Sequence, residues 1–362
     1  MKQNIRVLHV GPDVEARGGI ASVLHSLKEH SADFARLGFD FDFLATTPKK
    51  STRVAVKAFS FARALGQFTH RLLWSDADIV HLHTALHGSL IRKSLLASLC
   101  VVLRKPYIMH VHNGAFVQNY LARSAFGQFC TRQVLQRAKS VIILSSYNWK
   151  QMTELQLVAP GNCHVVFNGL EDPLNGKQPK HDRTPSPLVL TFLGLISAAK
   201  GIPTLISAIA NMRRDLPTFV LRVGGIGDVE GLQNAVEKNG VAHIVSYLGW
   251  LDGAEKAAAL STTDIFVLPS RSEGFSVAIL EAMAYGTAIL STNISGVVDA
   301  IRADVDGILV EPDNVPALTA ALEQLVLDSS GRKRLGESAR QRYLDLFTHD
   351  RMTERLVEIY AG

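Results

Sequence analysis

Two glutamates, Glu273 and Glu281, stand eight positions apart in PSRSEGFSVAILEAMAYG (269–286), a stretch that is otherwise mostly apolar. A carboxylate in such company needs a partner, because an unpaired buried charge is costly. The partner is either another side chain or a ligand. A strand is expected to end near Ser270, and a helix to begin near Ser276 and include Glu281. Eight helical residues rise about 12 Å, whereas the two carboxyls of a retaining glycosidase lie roughly 5–5.5 Å apart. One extended ligand gripped at both ends fits better. A nucleotide sugar carries hydroxyls at its sugar and ribose ends and a diphosphate between them, and the free amides of Gly274, Phe275, Ser276 and Val277 at a helix start suit the diphosphate. The same spacing also fits a Glu273 that caps the helix and a Glu281 that merely meets solvent.

Three further segments repeat the strand–turn–helix theme. In FLGLISAAKGIPTLISAI (192–209) Lys200 and Gly201 precede a helix, where a lysine can neutralise a phosphate as a point charge, or simply be solvated. In VGPDVEARGGIASVLHSL (10–27) Gly18 and Gly19 open a helix after the first strand and allow close backbone approach to a phosphate or sugar; a plain turn is the alternative. GGIGD (224–228) is a weaker case of the same kind. His81 and His83, like His110 and His112, are two apart on expected strands, so each pair shares a face. No carboxylate or cysteine joins them at ligand spacing, and no metal site is expected. His81, His83, His87 and His110 are expected to pack near strand ends or line a cleft.

The elements that must position these residues follow a regular rhythm. Apolar, strand-like runs begin at residues 5, 39, 78, 107, 140 and 164, then, after a proline-dotted interval at 171–187, at 188, 218, 244, 264, 288 and 307. Helical segments lie between most of them. Continuous β-branched runs alternating with helices indicate parallel sheets covered on both faces. The expected fold is therefore α/β, with two Rossmann-like domains. They run over 1–170 and 188–342, joined by a linker at 171–187, with ligand binding beyond the carboxyl ends of the strands in the cleft between domains. A length of 362 residues suits two domains.

Composition narrows the classes. Hydrophobic residues make up 47% and charged residues 20%, as in soluble enzymes. No secretory signal opens the chain, and Cys100, Cys130 and Cys163, within apolar stretches, read as reduced core residues of a cytoplasmic protein. The net charge of +5 is unevenly spread: no acidic residue stands between Asp78 and Glu154. Such a one-sided basic field attracts phosphates or anionic lipid surfaces, or is a solvated face with no partner. No nucleic-acid module is recognisable. TRVAVKAFSFARALGQFTHRLLW (52–74) mixes Arg53, Lys57, Arg63 and Arg71 with Phe59, Phe61, Phe68 and Trp74. It reads as a core helix with basic residues facing water, or as one lying on an anionic membrane.

ARGGIASVLHSL, MHVHNGAF, VVFNGLEDP, FLGLISAAKG and PSRSEGFSVAILEAMAYGTAILSTNISGVVDAI stand in the order seen in retaining glycosyltransferases of family 4, and the chain resembles that family over nearly its whole length. The E-x7-E block at Glu273 and Glu281 is the most specific part. The resemblance implies the GT-B fold, with a helix at about 343–362 crossing back onto the first domain. It implies sugar transfer from a nucleoside diphosphate sugar to a glycan or lipid-linked acceptor, with no metal and no organic cofactor, in cell-surface polysaccharide or glycolipid synthesis. The protein would be cytoplasmic or peripheral on the inner membrane face. By this resemblance Glu273 holds donor-sugar hydroxyls with the amides of Gly274, Phe275 and Ser276, and Glu281 holds the ribose. Lys200 stabilises the departing diphosphate with the Gly19 amide, and His112 contacts the transferred sugar or the acceptor. Asn168 and Gly169 match a hinge-side turn, and LGWLDGAEK (248–256) would select the nucleotide. One departure stands out. The family usually has arginine immediately after Gly194, where this chain has Leu195, and Arg17, Arg222 and Arg271 are the candidates to replace it. A nucleotide-sugar epimerase of the same architecture and a non-catalytic nucleotide-sugar-binding subunit are the alternative functions.

Overall fold

A computed structural model describes residues 4–16, 18–48, 54–74, 77–85, 88–177, 179 and 187–362. The first run of elements is β1 (Ile5–Gly11), α1 (Gly19–Glu29), α2 (Ser31–Arg36), β2 (Phe39–Ala45), α3 (Val54–Trp74), β3 (Ile79–Thr84) and α4 (Gly88–Val102). It continues with β4 (Tyr107–Val111), α5 (Phe116–Leu121), α6 (Ala125–Gln136), β5 (Ser140–Ile143), α7 (Ser146–Glu154) and β6 (Cys163–Val165). The second run opens with β7 (Leu188–Leu193), α8 (Ile202–Asn211), β8 (Phe219–Gly224), α9 (Val229–Lys238), β9 (Val245–Gly249) and α10 (Gly253–Ser261). Then come β10 (Ile265–Leu268), α11 (Val277–Ala284), β11 (Ala288–Thr292), α12 (Ser295–Val298), β12 (Ile308–Val310), α13 (Val315–Leu327), α14 (Ser329–Leu346) and α15 (His349–Ala361). All twelve expected strands are present, in two compact units: Met1–Gly169 with Asp350–Gly362, and Leu170–His349.

In the first unit a parallel sheet runs in the order β2-β1-β3-β4-β5-β6. Every residue of β3, β4 and β5 is buried, as continuous apolar strands covered on both faces require. Leu8, Leu82 and Met109 pack on one face with Phe68 of α3 and Leu96 of α4. Val7 and Ile108 pack on the other with Phe34, Leu356 and Tyr360, so α15 completes this core. Cys100, Cys130 and Cys163 are free thiols, and burial pushes those of Cys100 and Cys163 up to about 12. Among the described residues no helix is long and apolar enough to cross a membrane.

The second unit has the strand order β9-β8-β7-β10-β11-β12, again parallel. This is the doubly wound order whose switch point, between β7 and β10, is where ligands bind beyond the strand ends.

Two expected boundaries move. The return helix expected from about 343 begins later, because Tyr343 belongs to α14. Its buried hydroxyl donates to the Leu170 (2.8 Å) and Glu171 (2.9 Å) carbonyls, which keeps α14 with the second unit. The interval expected as a linker is, at its start, folded structure. Arg340, fully buried on α14, donates to both oxygens of Asp172 (2.6 and 2.8 Å) and to the carbonyls of Ala284 and Lys177. Residues 178 and 180–186 lie outside the described residues.

Burial works to raise the Asp172 carboxyl, but hydrogen bonds from Arg340, Gly176 and Leu174 outweigh it and hold the group below its usual range. Asp172→Asn keeps the shape and strands the Arg340 charge in the interior. We expect it to lower stability by about 3–5 kcal/mol, read as a lower urea midpoint for the second unit; an unchanged midpoint would show that the pair contributes nothing.

Candidate active site at the switch point of the second sheet

Beyond β7 and β10 lie the two loops that carry Lys200 and Glu273. The first is a short turn, Ala198–Lys200, closed by Gly201 in the left-handed region at φ 76°. A Cβ on Gly201 would sit 2.0 Å from the Pro269 carbonyl oxygen, so glycine is required for the Lys200 turn to lie against the exit of β10. The Arg271 amide donates to the Ala199 carbonyl (2.9 Å), tying the loops together. Ser291 and Thr292 of β11 donate through their hydroxyls to the Leu268 (2.7 Å) and Ser270 (2.5 Å) carbonyls. On the far side, a Cβ on Gly296 would fall 2.3 Å from the Glu273 carbonyl oxygen, so α12 closes directly on the Glu273 backbone.

Held this way, Lys200 Nζ stands 2.5 Å from Glu273 Oε1, and the Ser270 hydroxyl donates to the same oxygen at 2.6 Å. The Glu273 side chain is 7% exposed, so its charge needs these donors. Lys200 reaches it from across the switch point and Ser270 from its own β10 exit, and neither belongs to the helix that Glu273 precedes. Ser276, at the N-cap of α11, makes no side-chain cap bond, and Val277 begins the helix. The Phe275 ring packs on Phe347 at 5.4 Å.

Glu281, on α11, is not a plain surface residue. It pairs with Lys256 of α10, and both line a pocket of about 360 Å³ with Leu170, Glu171, Pro173 and Tyr285. Burial pushes the Glu281 carboxyl up, against the pull of the Lys256 ammonium. Both glutamates thus have lysine partners inside this unit. Lys256 lies in the segment 248–256 that the sequence reading assigned to nucleotide selection, but its pairing with Glu281, 25 positions away, and the part played by Ser270 were missed. Ser270, three positions before Glu273 at a strand end, carried a weak local signal; the Lys256–Glu281 contact carried none.

The remaining glycines divide by cause. A Cβ on Gly225 or Gly227 would fall 1.8 Å from the Gly194 oxygen or 2.4 Å from the Ile196 oxygen, so GGIGD serves the close approach of two strand-exit loops. In the first unit Gly18 (φ 134°) is the N-cap of α1 and Gly19 its first residue, and a Cβ on Gly19 meets nothing within 4 Å among the described residues. Packing therefore does not demand glycine at 19. Leu195 is exposed, Arg222 donates to the Thr262 hydroxyl (2.8 Å) and Arg271 pairs with Asp313 (2.9 Å). Arg17 and His87 lie outside the described residues.

His112 follows β4 in the first unit, partly exposed and in contact with a buried group that includes His9, His81, His83 and His110. His9 Nδ1 lies 3.0 Å from His83 Nε2, and His83 Nδ1 lies 2.9 Å from His112 Nε2. His81 contacts His110 (3.1 Å) and the Tyr360 hydroxyl (2.7 Å). Sequence parity gave the two pairs; His9 and Tyr360, which join them, were missed, since they come from another strand and from α15. Two trios, His9–His81–His83 and His83–His110–His112, have nitrogens within 4.8 Å of one another. Burial drives His9 and His112 down to about 3, and holds His81, His83 and His110 well below the usual value.

Neutral when folded, these rings take up protons below about 6.5 once the chain unfolds. The unfolded state therefore binds more protons as pH falls, and the first unit should lose stability from about pH 6.5 downward, by up to about 1.4 kcal/mol per pH unit for each ring. Urea unfolding at a series of pH values checks this: His9→Phe should show a shallower acid loss than the unaltered protein, and equal slopes would refute it.

Residues 18–169 match the family described as Glycosyl transferase 4-like domain, and 176–342 match Glycosyl transferases group 1. Glycogen synthase of Mycobacterium tuberculosis is 28% identical over 233 residues, 63% of this chain and 55% of that protein, so the match spans about half of the relative's length. Sucrose-phosphate synthase from Thermosynechococcus elongatus superposes with a TM-score of 0.79 at 18% identity, covering 99% of this chain and 98% of that one. Anabaena HepE, solved in complex with UDP and glucose, gives 0.75 at 17% identity, covering 99% and 100%. With two glycosyltransferase domains matched in sequence and two doubly wound sheets in the structure, the chain belongs to the glycosyltransferases of GT-B fold.

Proposed function

We propose that this protein is a retaining glycosyltransferase that moves a sugar from a nucleoside diphosphate sugar to a glycan or lipid-linked acceptor. The Lys200–Glu273–Ser270 constellation at the switch point carries the reading. Lys200 meets the diphosphate together with the amides at the start of α11, and Glu273 accepts hydrogen bonds from donor-sugar hydroxyls. Glu281, in its pocket, accepts from the ribose. His112 and the Gly19 amide, in the first unit, serve the sugar and the diphosphate. Arg271, whose amide is tied to the Lys200 turn, is the arginine we assign to the duty that Leu195 cannot perform.

The sugar–phosphate C–O bond breaks with its electron pair passing to the diphosphate. The acceptor oxygen bonds to the anomeric carbon on the same face, and its proton goes to the departing phosphate oxygen. Charge grows on the diphosphate in that step, and a preplaced ammonium and amide dipoles stabilise it with little reorganisation. The reading gives this duty to protein groups and not to a divalent ion; activity that survives chelation is expected, and activity restored only by added metal would oppose it.

The HepE complex makes uridine diphosphate sugars the first donors to try. Calorimetry should find one that binds. Glu273→Ala and Lys200→Ala should each weaken it about 10- to 100-fold, the value of a hydrogen bond to a charged group. Glu281→Gln should weaken nucleoside diphosphate and nucleotide sugar alike. Full affinity in Glu273→Ala would remove the reading, as would a product of inverted anomeric configuration.

For the acceptor, we infer a cytoplasmic protein whose first unit docks on an anionic membrane in cell-surface glycan or glycolipid synthesis. Phe59 and Trp74 of α3, Val102 of α4 and Phe126 of α6 are each more than 70% exposed, and α4 packs against both α3 and α6. Phe68 and Leu72 of α3 are core, and the reading gives its outward face to the membrane. Sedimentation should leave the protein with anionic vesicles and in the supernatant with neutral ones; equal recovery in both supernatants would discard the inference.

A further inference from the structure

The imidazoles on β1, β3 and β4 form hydrogen-bonded chains. β3 lies between β1 and β4, with His9 opposite His81 and His83 opposite His110, so all five rings share the sheet face that Tyr360 covers. Along a strand the rings stack: His81 on His83 at 4.2 Å and 14°, His110 on His112 at 3.9 Å and 25°. Between strands they meet edge to edge, at the hydrogen-bond distances given above. Stacked rings send their in-plane lone pairs along parallel directions. A tetrahedral zinc, with bonds of about 2.0–2.1 Å, needs them to converge on one point. A proton between each nitrogen pair accounts for the contacts.

A neutral imidazole has one N–H and one lone pair. In the chain His9–His83–His112 every proton must therefore point the same way, and only two settings exist. The inner end decides between them. His9 Nε2 is buried and has no partner among the described residues. Interiors tolerate an unpaired acceptor more readily than an orphaned N–H, so His9 Nε2 carries the lone pair and Nδ1 the proton. His9 then donates to His83 Nε2, His83 donates from Nδ1 to His112 Nε2, and the proton of His112 is left on Nδ1.

We propose that His83, backed by His9, is a positioning residue that fixes His112 as a neutral hydrogen-bond donor through Nδ1, aimed at an oxygen of the transferred sugar. This rests on the reading of His112 as a sugar contact. Burial keeps the ring unprotonated at neutral pH. That state suits the chemistry, since an imidazolium beside an anomeric carbon gaining positive charge would oppose the reaction, whereas a neutral N–H orients the sugar without doing so.

The test needs no substrate for its first arm. With 15N-labelled histidine, long-range proton–nitrogen correlation on the full chain reads each ring's tautomer, His112 being assigned from the spectrum of His112→Asn. We expect His112 to be protonated on Nδ1 and bare on Nε2 in the unaltered protein, and to exchange between tautomers in His83→Phe and in His9→Phe. His112 protonated on Nε2, the same tautomer in both variants, or one bound metal ion per chain in the purified protein with the imidazoles ligating it would each overturn the proposal. In the second arm His83→Phe should weaken nucleotide-sugar binding about tenfold, the value of one hydrogen bond, while leaving the affinity for the nucleoside diphosphate unchanged. A failure of donor binding in every form, with the tautomer as expected, would count against the transferase reading and not against the chain of imidazoles.

Discussion

An ammonium and a carboxylate 2.5 Å apart at the switch point of the second sheet set the terms for the residues around them. Glu273 is nearly buried, and a charge there is tolerable only with donors at hand. The donors come from two strand exits, so the loops after β7 and β10 must touch. Close backbone approach and short hydroxyl side chains hold them there. Gly201 removes a Cβ that would collide with Pro269, Gly296 one that would collide with Glu273 itself, and the hydroxyls of Ser291 and Thr292 take the carbonyls of the β10 exit. Ile279, Leu280, Ala282, Met283 and Ala284 bury α11 below this loop and so fix where its N-terminus stands.

The two units handle buried polarity in opposite ways. The second keeps its charges and pairs them: Lys200 with Glu273, Lys256 with Glu281, Arg340 with Asp172. The first buries five imidazoles that burial holds neutral, within hydrogen-bond distance of one another, and burial pushes its Lys93 ammonium down to about 7. An imidazole gives up its proton near neutral pH at small cost, while a lysine or a carboxylate needs a shift of several pH units to become neutral. Histidine is therefore the less costly residue for a buried polar cluster that carries no charge.

The rhythm of apolar runs was enough to find all twelve strands, because a parallel sheet buried on both faces leaves a continuous signal that polar loops interrupt. It was not enough to place the return to the first unit. Ser329–Leu346 and His349–Ala361 are both helical, and only the buried Tyr343 hydroxyl and the Arg340 guanidinium show which unit holds the first of them. Lys200 and Glu273 were readable as residues at strand-to-helix turns, and their chemistry as phosphate- and hydroxyl-binding. Their contact was not, since 73 positions separate them and the strand order, absent from any local pattern, brings them together. Lys256 and His9 were hidden for the same reason. GGIGD was read as a weak phosphate candidate with a plain turn as the alternative, because glycine that admits a neighbouring backbone looks the same in sequence as glycine that admits a phosphate; Gly225 and Gly227 serve the close approach of loops.

In the proposed reading the two glutamates also set the ligand's register. A carboxylate accepts from sugar or ribose hydroxyls but repels a phosphate oxygen, at a cost that low dielectric magnifies. A diphosphate sugar offered to this site meets acceptors at both ends and an ammonium with amide dipoles between them, so a slide along the site would press phosphate against Glu273 or Glu281. The exclusion is as selective as the attraction. Lys256 tempers it at the ribose end, where its ammonium partly offsets the Glu281 charge. At the sugar end Lys200 offsets the Glu273 charge in the same way. Once the ammonium turns to the diphosphate, Glu273 keeps only the Ser270 hydroxyl and takes its further donors from the sugar.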